Sequence, residues 1–419
     1  MTRSFTLFPG ITLRCVQSDR FKQGCLSVQF VRLMKKEEAA LNALIPAILL
    51  RGTRHHKDIR AITARLDDLY GASVSALVRR IGDYQTTGLY CAFMEDRYAF
   101  GSDRILEPMV DFLRELLFEP VTEKGGFSRE FVQSEKKNLI STIESERNDK
   151  RAYAATRLLQ LMCREDSFGV PRLGEVAQVK KIRHRSAYEH YQKVLKESPV
   201  EIFYVGSAEP ETVADLLRPM FFGLERAYQP IPEQLPFQDC TGAHRTEEMA
   251  VTQSKLSMGF VTSITNRSEN FAAMQLLNTV YGAGMTSKLF TQIREKMSLC
   301  YSIGSGYYGS KGILTVNAAI DAGQEQVVRQ EILRQLELCK QVTEQEIAAA
   351  KEAMLSSLRG VHDSPGAIEG YYASAALSGV SISLPEYMAA VEAVTPEQIS
   401  EAAQSLRYHS SFLLRGETV

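Results

Sequence analysis

Apolar residues recur at two spacings along this chain, and the switches between them mark its elements. Phe5 to Val16 and Gly24 to Arg32 read as strands, with Leu26, Val28 and Phe30 on one face and Gln29 and Val31 on the other. An apolar run from Leu41 to Leu50, broken by Asn42 and Pro46, turns at Arg51-Gly52-Thr53 into a second periodic segment. There Ile59, Ile62, Leu66 and Leu69 fall three or four apart, an apolar stripe on one side of a helix, and Gly71 supplies a stop. This helix–turn–helix pair feeds strands at Ala72–Val78 and Gly82–Phe93, then an amphipathic helix at Arg104–Leu117. Ser128 to Met162 reads as a long helical segment with a break near Asn148-Asp149, followed by a helix at Ile182–Leu195 and a strand at Val200–Val205. Glu209-Pro210-Glu211-Thr212 opens a further helix, with proline suited to the first turn and the acids to the helix dipole.

Between Ala227 and Met249 the periodicity lapses. Pro230, Pro232 and Pro236 stand among Gln, Glu and Asp, the composition of a linker. Beyond it the grammar restarts with a strand at Ser257–Ile264 and helices at Asn270–Tyr281 and Lys288–Met297. Strands at Tyr301–Tyr308 and Gly312–Ile320 follow, then helices at Gln324–Leu338 and Thr343–Arg359. A helix at Pro385–Val394, another opening at Thr395-Pro396-Glu397 and a final strand, SSFLLRG, close the chain. The two halves share an approximate order of elements, which predicts an internal duplication. The expected division is a domain over 1–227, a linker over 228–249 and a domain over 250–419. The expected class is α+β, each domain a mixed or antiparallel sheet with helices packed on one face.

Composition narrows the functions. At 419 residues and 44% hydrophobic the chain can bury a large core. Its 49 basic and 50 acidic residues give a net charge of -1, no bias toward nucleic acid or an anionic membrane, and no run is long and apolar enough to span a bilayer. The seven cysteines at 15, 25, 91, 163, 240, 300 and 339 are odd in number and form no C-x-x-C pair. They read as small buried hydrophobes in a reducing, cytoplasmic setting, and the amino terminus does not read as a secretory signal.

Motifs that would carry chemistry are sparse. His55-His56 are adjacent, so on a helix they point about a hundred degrees apart, and they read as a solvated helix entrance. His184 and His190 do not share a face, and the remaining histidines stand alone. No H-E-x-x-H, H-x-x-E-H, G-x-G-x-x-G or phosphate-binding loop is present. The neighbouring acids Glu37-Glu38, Asp67-Asp68 and Glu144/Glu146 read as solubilising rather than hydrolytic. The segment 282–307 has more character. Gly282 and Gly284 permit a close approach, Ser287 suits a cap, and Arg294 and Tyr301 are donors suited to a peptide carbonyl or a carboxylate. The plainer reading is a cation near a helix end and an aromatic at a sheet edge.

On these residues the chain resembles the pitrilysin/insulinase family of zinc peptidases, which includes the mitochondrial processing peptidase, and most nearly its small bacterial members. In active members H-x-x-E-H is followed by a hydrophobic pair, a basic residue and Gly-Thr; Leu49-Leu50-Arg51-Gly52-Thr53 matches that tail. Counting back places Ala43 and Ala47 where the metal-binding histidines would be and Pro46 where the general-base glutamate would be. The third ligand, counted from Glu135, falls on Thr142. The family's second motif, a glycine-rich run, S-x-L-F, then R-E-x-x-x-x-x-Y, is matched by Gly282, Gly284, Ser287, Leu289, Phe290, Arg294, Glu295 and Tyr301.

The resemblance implies a metal-free, non-catalytic subunit whose Arg294 and Tyr301 hold substrate, completing the peptide cleft of a related partner chain with an intact H-x-x-E-H and its own zinc. Two-chain members of the family pair a catalytic with a metal-free subunit in this way. A stand-alone or homodimeric peptide-binding or scaffold protein, and a zinc endopeptidase with non-standard ligands, are the alternatives.

Overall fold

The computed structural model describes residues 2–238, 241–380 and 383–416, so Cys240 lies outside the described residues. The first strand of the pattern is a hairpin: β1 (Thr2–Phe8) and β2 (Ile11–Gln17) pair antiparallel, and Gly10 turns the chain at φ +74°. Next come β3 (Gln23–Leu33), α1 (Lys36–Leu49), α2 (Ile59–Asp68), β4 (Ser73–Ile81), β5 (Tyr84–Met94) and α3 (Leu106–Phe118). A small hairpin, β6 (Thr122–Glu123) and β7 (Gly126–Phe127), leads into α4 (Arg129–Asn148). Asp149 ends that helix and caps α5 (Lys150–Met162), its carboxylate accepting from the amides of Arg151 and Ala152. After α6 (Val176–Lys181) and α7 (His184–Glu197) come β8 (Val200–Gly206) and α8 (Pro210–Leu217), which has its proline in the first turn.

The second series is β9 (His244–Glu248), β10 (Ser254–Val261), α9 (Phe271–Tyr281), a π-helical turn (Phe290–Lys296), β11 (Cys300–Tyr308) and β12 (Ile313–Ile320). It ends with α10 (Glu325–Leu338), α11 (Glu344–Gly360), α12 (Pro365–Leu377), α13 (Leu384–Ala393), α14 (Pro396–Ser405) and β13 (Arg407–Arg415). Sequence reading missed α6, α12 and β9, the last inside the proline-rich stretch.

The duplication is plain in the sheets. One has the order β1-β2-β8-β3-β5-β4, the other β11-β12-β10-β13-β9. In each, one parallel pair (β2 with β8, β13 with β9) is followed by antiparallel neighbours, so β9 is the counterpart of β2. Five strands recur with the same pairing senses, and β1 is added in the first sheet.

Two compact units contain these sheets. The first comprises residues 1–144, 171–233 and 361–377, the second 145–170, 234–360 and 378–419. Thus α5 belongs to the unit of the second sheet, and α12 to that of the first. In the first unit Leu26, Val28 and Phe30 face a core shared with α1, α3, α7 and α8. The opposite face is not left open, because Cys25 and Val205 pack against Ile368 of α12. There Glu369 is wholly buried, accepting from Ser27, Gln29 and Arg79 at 2.7, 3.0 and 2.8 Å. In the second unit one face packs against α9, α10, α11, α13 and α14, and the other takes α5 through Leu158, Leu159 and Met162 against Val261, Ile313, Phe412 and Leu414. Each sheet therefore has a many-helix face and a face closed by one helix.

Candidate functional site

α1 is apolar nearly all round, which is the signature of a helix enclosed by its surroundings. Ala43, Pro46 and Ala47, at i, i+3 and i+4, share one side of it, as a helical metal motif requires. Ala43 is 6% exposed and Pro46 is buried. A methyl group or a pyrrolidine ring has no lone pair for zinc. Thr142, on α4, is exposed and donates its hydroxyl to the Asn138 carbonyl, closing on its own helix. These positions therefore do not fit a zinc ion. Among the described residues no group of three metal-ligating side chains comes together elsewhere.

Local interactions explain how α1 tolerates the change. A proline inside a helix lacks the N–H that would bond four residues back, here to the carbonyl of Asn42. The Thr87 hydroxyl of β5 donates to that carbonyl at 2.6 Å and replaces the missing donor. The Asn42 side chain is wholly buried; it accepts from His190 Nε2 at 2.7 Å and donates to Gln85 Oε1 at 2.9 Å. Gln85 in turn donates to the carbonyls of Ala39 and Arg172. Burial lowers the His190 pKa to about 4, which keeps its ring neutral. Glu38, read from sequence as solubilising, sits in the same seam. Burial opposes its ionisation, but hydrogen bonds from Arg32 and Lys193 outweigh that and lower its pKa to about 2. Nothing in the apolar spacing pointed to this seam, because its members lie on four separate elements.

The Gly-Thr tail has a structural cause. A side chain at Gly52 would meet the Lys57 carbonyl at 2.6 Å, and the Thr53 amide donates to the His56 carbonyl at 2.6 Å. His55 reaches Glu119 at 3.3 Å, and His56 reaches Glu115 at 2.8 Å. The two rings thus turn to different carboxylates, Glu115 in the last turn of α3 and Glu119 just past its end; His55 is solvated, but His56 is half-buried. Arg51 joins Glu135 of α4 at 3.5 Å.

The second motif is built differently. Gly282 is needed for close approach, since a Cβ there would meet Ser305 Oγ at 2.6 Å and Leu289 Cδ1 at 2.7 Å, whereas Gly284 has nothing within 4 Å. Ser287 is buried and bonds the Gly284 carbonyl at 2.6 Å. The expected α-helix widens over Phe290–Lys296 into a π-turn, with the Met297 amide bonding the Gln292 carbonyl five residues back. Ser298, at φ +52°, reverses the chain into β11. Arg294 lies over the Phe290 ring, 4.5 Å from its centroid, and is 3.7 Å from Glu295. The register of β11 on β12 slips between Cys300 and Ser302, which makes Tyr301 the bulged residue. Its side chain is 74% exposed. The helix and strand were legible in sequence; the π-turn and the bulge that aim these side chains were not.

Residues 181–354 match the family description "Peptidase M16 inactive domain". The chain is 28% identical over 409 residues, 97% of its length and 96% of the relative's, to the "Probable inactive metalloprotease YmfF" of Bacillus subtilis. It is 32% identical over 117 residues, 27% of this chain and 28% of the relative, to the "Uncharacterized zinc protease YmxG" of the same organism. A solved conserved protein from Enterococcus faecalis superposes with TM-score 0.91 at 28% identity, covering 100% of this chain and 99% of that one. A structure described as a peptidase M16 inactive domain, from Pseudomonas fluorescens, shares the fold at TM-score 0.82 and 17% identity, over 100% and 98% of the two chains. The chain thus matches the M16 inactive-domain family over residues 181–354 and is similar along nearly its whole length to a probable inactive metalloprotease, with alanine, proline and alanine where its resemblance to the pitrilysin/insulinase peptidases puts their zinc motif.

Proposed function

We propose that this chain is the metal-free subunit of a pitrilysin-like peptidase and completes the peptide-binding cleft of a related, zinc-bearing partner. One contrast supports the reading: the metal-side positions on α1 are donor-free and packed, while the Arg294–Tyr301 segment keeps its donors, with Tyr301 exposed on a bulge. In this role Arg294 and Tyr301 donate to the carbonyl oxygens of a peptide lying across the partner's metal, and stabilise the charge that develops there in trans. The zinc belongs to the partner. Cys15, Cys25, Cys91, Cys300 and Cys339 are buried free thiols, which supports a reducing, cytoplasmic location, and no helix among the described residues is long and apolar enough to cross a membrane.

The test is zinc content and peptide hydrolysis, measured on this chain alone and co-purified with a related chain carrying H-x-x-E-H. Zinc and cleavage in the mixture only, both present but cleavage reduced by Arg294→Ala and Tyr301→Phe, is the expected result. A mixture indifferent to both substitutions overturns the reading. A second reading, a stand-alone or homodimeric peptide binder, draws on β4, an outermost strand paired on one side with β5 and carrying exposed residues. It predicts peptide affinity without cleavage in every mixture.

A further inference from the structure

Beyond Tyr301, β11 forms one wall of an open groove in the second unit, a cavity of about 440 Å³. Its floor is short-sided. Ser302, Gly304 and Gly306 alternate onto one face, and a Cβ at Gly304 or Gly306 would find its nearest neighbour only at 3.5 or 3.9 Å. A ligand's main chain can therefore approach the strand closely. Across the floor Gly304 pairs with Asn317, which pairs with Ser257; Ser302 pairs with Ala319, which pairs with Lys255. The opposite wall is the start of α5, with Asp149, Arg151, Ala152 and Ala155.

The polar groups here are mostly donors. Asn317 lines the groove and its Oδ1 accepts from Ser257 at 2.7 Å, which leaves the amide nitrogen as the group that can donate to a ligand. Asp149 spends one oxygen on the amides of Arg151 and Ala152. Among the described residues no carboxylate forms an ion pair with Arg151 or with Lys255. Burial, and the neighbouring Arg151 charge after it, lower the Lys255 pKa, so these two cations repel each other with Asp149 as the nearby counter-charge. Arg151 and Asp149 line the groove and Lys255 stands beside the lining, within electrostatic reach of both, so the three together carry one net positive charge. That balance suits a planar monoanion and disfavours a phosphate dianion, which the Asp149 charge would repel.

We propose that this groove receives the C-terminal carboxylate of an extended peptide, held by Arg151 and the Asn317 amide with its last residues along Gly304 and Gly306. The inference rests on the reading of Arg294 and Tyr301 as peptide-holding groups, since the groove begins one residue after Tyr301. It gives the cleft a direction and a preference for peptides with a free end.

The test uses the full chain and one N-terminally fluorescein-labelled unstructured decapeptide, prepared as free acid and as C-terminal amide, with affinity read by fluorescence anisotropy. The acid is expected to bind about tenfold more tightly, the effect of one charge-assisted hydrogen bond. Arg151→Gln, on an exposed helix position, is expected to weaken the acid far more than the amide and so bring that ratio close to one. Arg294→Ala is expected to weaken both forms alike and preserve the ratio. Equal affinity of acid and amide for the unmodified chain, with Arg294→Ala still weakening both, overturns the carboxylate site alone. A preserved ratio with Arg294→Ala without effect overturns the cleft reading alone. Binding of neither form overturns both.

Discussion

Under the proposed reading, α1 of the first unit stands for the metal side of a peptidase site and the segment 282–301 of the second for its substrate side, and the two are built in opposite ways. On α1 Ala43 and Pro46 are buried and Ala47 partly so, a threonine supplies the donor that proline lacks, and a buried amide–imidazole seam holds the helix to β5 and α7. In the 282–301 segment the backbone remains irregular, with a π-turn, a residue at positive φ and a bulge, and the bulged tyrosine faces solvent. Irregular backbone costs stability and persists where the surroundings enforce it, commonly at functional sites. A region released from function is free to relax into packing.

The strongest way to break this contrast is to put the family motif back. The variant A43H/P46E/A47H places three polar groups on a side of α1 where Ala43 and Pro46 are buried, and should cost about 3–5 kcal/mol, the scale of an uncompensated buried charge. Chemical denaturation measures it; a variant as stable as the parent would show that this side is open after all.

Acid should next expose the α1 seam. His190 titrates near 4 in the fold against about 6.5 when unfolded, so the unfolded chain takes up its proton first, and stability falls as pH drops from about 6.5 to 4, by about 3 kcal/mol at the low end. The Glu38 contribution has the other form: full above the unfolded carboxylate pKa, it declines as pH falls toward about 2. Urea midpoints across this range should therefore drop in two stages, and His190→Gln should remove the first. An unchanged upper stage would mean that the imidazole is not the buried neutral donor described.

The proline compensation is smaller and can be isolated. Thr87→Val leaves the Asn42 carbonyl without its donor and should cost about 1–3 kcal/mol. Pro46→Ala restores the helical N–H, so the same substitution in that background should cost much less, a coupling read by a double-mutant cycle. Additive costs would remove the proposed link between the lost motif and Thr87.

The least costly substitutions should be those in the second motif. Tyr301→Phe should stay within about 0.5 kcal/mol of the parent, as exposed positions do, and Arg294→Ala, half-exposed over the Phe290 ring, within about 1 kcal/mol. Gly282→Ala should cost about 1–3 kcal/mol by crowding Ser305 and Leu289, while Gly284→Ala should be nearly neutral. Thermal unfolding of the four variants checks all of these; destabilisation by the Arg or Tyr variants would recast them as structural residues.

Much of this molecule was fixed by neighbours within a few residues. The alternation of Leu26, Val28 and Phe30, the stripe from Ile59 to Leu69, the cap at Asp149, the proline opening α8, and the absence of any ligand at 43, 46 and 47 all follow from spacing and side-chain chemistry along the chain. Such signals span about one helical turn or one strand, so they survive without tertiary context. The three-dimensional arrangement decided what depends on distant partners. It made a strand of His244–Glu248 by pairing it with β13, within a stretch whose composition reads as linker. It set α5 and α12 on the second faces of the two sheets, the first through apolar contacts and the second through the buried Glu369. It also paired Asn42 with a histidine 148 positions away and turned Tyr301 outward on a one-residue slip. Register and burial are set by the whole surroundings of a residue, and local sequence carries no record of which distant side chain will supply a donor, a counter-charge or a covering face.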